Sequence, residues 1–102
     1  MNLTSLVGEV VSMKVNSGEE MIAKIIESDD NFITVTNPVS VAPGPQGLNL
    51  VPSMFTAEQG GNIRINTNNI ALIAPTGDDV KMRYIEATTG LSIPTKKKLI
   101  LG

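Results

Sequence analysis

A chain of 102 residues that is 41% hydrophobic, with nine glycines and six prolines, has enough apolar material for one compact domain and too much for a disordered chain. It contains no cysteine and no histidine, so disulfides, thiolate nucleophiles, imidazole bases and Cys/His metal sites are excluded. The formal net charge of -2 hides an asymmetry: residues 1–79 carry three basic groups (Lys14, Lys24, Arg64) against nine acidic ones, whereas residues 80–102 carry five basic groups against Glu86.

The opening residues lack the basic flank and apolar core of a signal peptide, and no apolar run approaches the roughly 18 residues that span a bilayer. The expectation is a soluble, cytoplasmic protein without membrane partners. Three strands are predicted first, near residues 9–16, 20–28 and 31–37. Val11, Met13 and Val15 alternate with Ser12 and Lys14, Met21, Ala23 and Ile25 alternate with Ile22 and Lys24, and Phe32 to Thr36 is aromatic or β-branched. The tetrads NSGE and SDDN between them carry Gly18, Asp29, Asp30 and Asn31, which suit tight turns, so the strands are antiparallel neighbours.

Asn37-Pro38 bends or breaks the third strand, PVSVA continues it, and APGPQG forms a turn or projecting loop. The next strand, LNLVPSMF, contains Pro52, which lacks a backbone donor and therefore belongs at an edge, a bulge or a strand end. After the flexible FTAEQGGN, two further strands are predicted around residues 62–66 and 69–74. A helix then begins near Gly77 or Asp78 and ends before Gly90. Asp78 and Asp79 favour its positive N-terminus, and Val80, Tyr84 and Ala87, extended by Ile85 and the stem of Lys81, form its packing stripe. Residues 90–102 are read as a tail or a terminal strand.

Gly18, Ala23 and Asp29, followed by Phe32 and Ile33, resemble the first motif of the Sm-like (LSm/Hfq-like) superfamily: a glycine after strand one, a small residue midway through a bent second strand and an aspartate in the next turn. The resemblance covers about residues 9–37, and the overall pattern is similar to small Sm-like proteins of marine phages and related environmental sequences. It implies a mainly β fold, a small, strongly bent antiparallel five-stranded barrel with a C-terminal helix. The barrel core spans about residues 7–74, the helix 77–89 and the tail 90–102 of one domain. It also implies self-association, with strand four of one subunit pairing strand five of the next through edges between Leu48 and Met54 and between Asn69 and Ala74. Two departures weigh on function. Ile33 stands where the family's base-contacting asparagine falls, and Asn66, Thr67, Asn68 and Asn69 fill the last turn without its Arg-Gly pair. The helix also follows the strands, whereas the family places it before them.

No catalytic, cofactor or metal site is predicted. The pairs Glu19/Glu20, Asp29/Asp30 and Asp78/Asp79 sit in turns or at a helix start and serve turn geometry, solubility and capping. The glycine-rich stretches lack the Lys-Ser/Thr and the strand-to-helix context of a phosphate loop. The leading expectation is a non-enzymatic, self-associating module. A second is RNA or DNA binding by the assembled ring through Lys96, Lys97 and Lys98, with Phe55, Asn68 and Asn69 as further contacts. A third, a carboxylate-based hydrolase, requires Asp29, Asp30 and Glu58 to gather around a divalent ion.

Overall fold

Alternation of apolar and polar residues produces the first hairpin. The computed structural model describes residues 3–58 and 60–89. In it a short 3-10 turn (Thr4–Leu6) leads into β1 (Val10–Val15), and β1 pairs antiparallel with β2 (Glu20–Ser28). Gly18 makes the connection at φ +95°, its N–H donating to the Val15 carbonyl at 2.8 Å. A Cβ at Gly18 meets nothing within 4 Å, so the penalty for a side chain is purely a backbone one. Gly18→Ala is therefore expected to lower stability by about 1–2 kcal/mol, read as a lower urea midpoint at unchanged slope.

The third strand, β3 (Phe32–Gly44), runs through Asn37-Pro38 without ending and serves two partners on its far side. Phe32 to Thr36 pair with β5 (Asn62–Asn66), and Val39 to Gly44 pair with β4 (Gly47–Pro52). The changeover falls at a bulge. Between the pairs Lys24↔Thr36 and Ile22↔Val39, the single residue Ala23 opposes both Asn37 and Pro38. Asn37 has φ +50°, a conformation that asparagine tolerates better than most residues, and Pro38 has no donor to lose. Ala23 is fully buried opposite this corner.

Six antiparallel strands thus form one sheet in the order β4-β3-β2-β1-β6, with β5 beside β3 and β6 (Ile70–Pro75) beside β1. The residue pattern predicts six strand segments, whereas the family resemblance implies five strands; the two counts meet because β4 and β5 occupy one lane along β3, interrupted by residues 53–61. Pro52 is the last residue of β4, on an outer lane where no ladder neighbour requires its missing N–H. The sheet is not closed: β4 and β5 on one side and β6 on the other keep a free edge among the described residues.

Both faces of the sheet are packed. One buries Val11, Met13, Ala23, Ile25, Ile33, Val35 and Ile70, with Leu3 from the N-terminal segment. Leu3 and the 3-10 turn went unpredicted because three residues give no periodicity; the Leu3 N–H donates to Ser28 Oγ at 3.1 Å. On the other face Val10, Ile22 and Val39 pack against Tyr84 and Val80 of α1 (Asp78–Thr89). The helix stripe is narrower than its sequence suggests: Ala87 and Ile85 are exposed, and Tyr84 is the helix's buried residue. Arg83 also ties α1 to β4, donating from Nη2 to the Leu48 carbonyl at 2.6 Å. Among the described residues no helix is long and apolar enough to cross a membrane.

Candidate interaction surfaces at the open sheet edges

The two predicted edges lie on outer lanes of the sheet. In β6, Leu72 opposes Lys14 of β1 and leaves 63% of its surface exposed. It borders a shallow, mainly apolar groove of about 400 Å³ that also touches Ser12, Glu20 and Ala74. On the opposite lane Val51 is 41% exposed, and beyond β4 come Met54 at 51% and Phe55 at 81%. A small domain that leaves such side chains beside unpaired backbone presents both a hydrophobic and a hydrogen-bonding surface.

The predicted motif residues serve local geometry. Gly18 turns the first hairpin, and Ala23 faces the bulge. Asp29 closes the second turn, its Oδ1 accepting the N–H groups of Asn31 at 2.9 Å and Phe32 at 2.8 Å. Phe32, half-buried, carries the Arg64 guanidinium 4.2 Å above its ring. Arg64 was counted by sequence only as a charge. Its stacking partner is visible only once β5 pairs with β3 and places Arg64 opposite Thr34, two residues along the strand from Phe32.

Asn68 and Asn69 lie in the 3-10 turn Thr67–Asn69, where the Asn66 side chain accepts from the Asn68 N–H at 2.9 Å. Their carbonyls are engaged by Asn16, whose Nδ2 donates to Asn68 and whose N–H donates to Asn69. This turn therefore braces the first hairpin. Asn69 borders a cleft of about 330 Å³ that also touches Glu19, Met54, Arg64 and Asn66. Phe55 projects from the segment after β4, and Lys96, Lys97 and Lys98 lie outside the described residues.

The hydrogen bonds from Asn31 and Phe32, aided by the nearby Arg64 charge, hold the Asp29 carboxyl below its ordinary value of 3.8. A carboxylate whose pKa is lower in the folded chain stabilises above the unfolded value and loses that contribution as pH falls through the folded one. Wild type is thus expected to exceed Asp29→Asn in urea midpoint at neutral pH. The gap should narrow as the pH drops below 3.8, and a gap constant across that range would refute the assignment.

Tyr84 was expected on the helix stripe, but the role of its hydroxyl was not foreseen. The oxygen lies 3.1 Å from the Thr36 carbonyl and 3.0 Å from that of Asn37, and it also meets the Lys24 N–H. It fills the break that the bulge leaves in the β2–β3 ladder. Burial pushes the phenol up to about 12. Glu19 accepts a hydrogen bond from the Ser40 hydroxyl, which lies 3.1 Å from Ser53 Oγ. Among the described residues no three carboxylates gather as a metal site. No family model matches the sequence, and no curated protein matches it.

Proposed function

We propose that this chain is a non-enzymatic Sm-like module that associates with copies of itself through its open sheet edges. The observation that carries the reading is the pair of unpaired outer lanes, β4/β5 and β6, each flanked by exposed apolar side chains. The edge strands β5 and β6 are separated by only the three residues Thr67–Asn69, yet they do not pair with each other. Their free backbone groups gain partners when β6 of one copy meets the β4/β5 lane of the next. Five lanes, the β3 bulge opposite Ala23 and the Gly18/Asp29 turns support the Sm-like barrel as the underlying fold.

Size-exclusion chromatography with light scattering at several concentrations tests the proposal. The expected result is a multiple of the 10.8 kDa chain mass, and a 10.8 kDa species at every concentration overturns it.

The second reading, nucleic-acid binding by the assembly, is favoured by one observation, the almost fully exposed ring of Phe55 available for base stacking. Labelled single-stranded RNA and DNA titrated at two salt concentrations separate the readings. Binding that weakens with salt and disappears when Lys96, Lys97 and Lys98 are replaced together supports the second. Absence of binding at low salt removes it.

A further inference from the structure

A cleft lies where the helix meets the sheet face it covers. Tyr84 anchors α1 at the β3 bulge, and one turn earlier on the same helix face stands Lys81. Across from it, β2 contributes Lys24, paired in register with Thr36 of β3. With Val10, Asn37 and Ile85 these residues border a cleft of about 480 Å³, within the range of small-molecule sites.

The charge pattern of this cleft runs against that of the rest of the chain. Outside the triple-lysine run the sequence holds ten acidic groups and five basic ones, yet two of those five line the cleft and no carboxylate does. Among the described residues neither Lys24 nor Lys81 has an ion-pair partner, and the Asn37 side chain makes no hydrogen bond. Glu9 precedes Val10 but does not border the cleft. Two unpaired ammonium groups and an amide therefore stand at a cleft that Val10, Tyr84 and Ile85 also border.

We propose that this cleft binds a small amphipathic anion, with a carboxylate or phosphate head between Lys24 and Lys81 and an apolar body along Val10, Tyr84 and Ile85. Charged hydrogen bonds from the lysines fix the head, and apolar burial supplies the rest. The site is separate from the sheet edges, so it does not depend on self-association.

Tyr84 is the only tyrosine, and the chain has no tryptophan, so tyrosine fluorescence comes from a residue that borders this cleft. The full chain is titrated with octanoate, octyl phosphate and 1-octanol, with calorimetry in parallel. Both anions are expected to give saturable binding about tenfold tighter than the alcohol, and their ranking distinguishes a carboxylate from a phosphate preference. The double variant Lys24→Gln/Lys81→Gln is expected to bind the anions about tenfold more weakly with an unchanged circular dichroism spectrum. Lys14→Gln, on the β6 groove, should bind as wild type does. Equal affinity for the alcohol and the anions, undiminished binding by the double variant, or no saturable binding of either anion overturns the proposal.

Discussion

Tyr84→Ala is expected to cost on the order of 3–5 kcal/mol of folding stability, the range for removing a large buried aromatic side chain. Two losses combine in it. The ring packs among Val10, Ile22 and Val39 and fastens α1 to the sheet, and the hydroxyl occupies the break in the β2–β3 ladder at Asn37. Tyr84→Phe separates them. It keeps the ring but leaves the Thr36 and Asn37 carbonyls and the Lys24 N–H short of a partner, a loss of about 1–3 kcal/mol. Urea unfolding followed by circular dichroism measures both variants. If Phe proves as stable as Tyr, the hydroxyl does not support the bulge.

Leu72→Asp is expected to weaken self-association by about 10- to 100-fold per interface while leaving the monomer folded. Covering an exposed leucine contributes roughly 1.5–3 kcal/mol, and each 1.4 kcal/mol is a factor of ten. The substitution also brings a charge to a strand edge, a device by which natural sheets block pairing. Because Leu72 is already 63% exposed, the domain itself loses little. Light scattering should show a shift towards 10.8 kDa at concentrations where wild type is assembled, with an unchanged circular dichroism spectrum. A variant that assembles like wild type would place the contact elsewhere.

Much of the local structure was legible because it is written in nearest neighbours. Alternation from Val10 to Val15, the glycine at 18, the aspartate at 29 and the breaker at 75–77 each act within a few residues of themselves, and β1, β2, β5, β6 and α1 fall within a residue or two of their expected bounds. What stayed hidden was non-local. The sequence allows Asn37-Pro38 either to bend β3 or to break it; what decides for the bend is Ala23 opposite and a hydroxyl 47 residues away in α1. The narrowness of the helix stripe goes with the same anchoring: with Tyr84 pinned at the bulge, Ala87 is exposed and Ile85 stays at the rim of the cleft.

The same limit applies to the candidate sites. The β4 edge was foreseeable from Pro52, because a residue without a backbone donor fits only where no neighbouring strand needs its N–H, as at the end of an outer lane. The stacking of Arg64 on Phe32 and the convergence of Lys24 with Lys81 were not, since each joins side chains from elements distant in sequence. Charge counting noted all three cations and could not say which would stand together.

The split lane along β3 has a practical consequence for protein engineering. Residues 53–61 leave the sheet at Pro52 and return to it at Asn62, so the register on either side is fixed by separate sets of backbone bonds. Extra residues inserted near Thr56 lengthen a detour that already exists and do not shift either ladder. Each doubling of its length costs only about 0.6 kcal/mol in closure entropy, which makes this excursion the natural place to graft a foreign peptide for display.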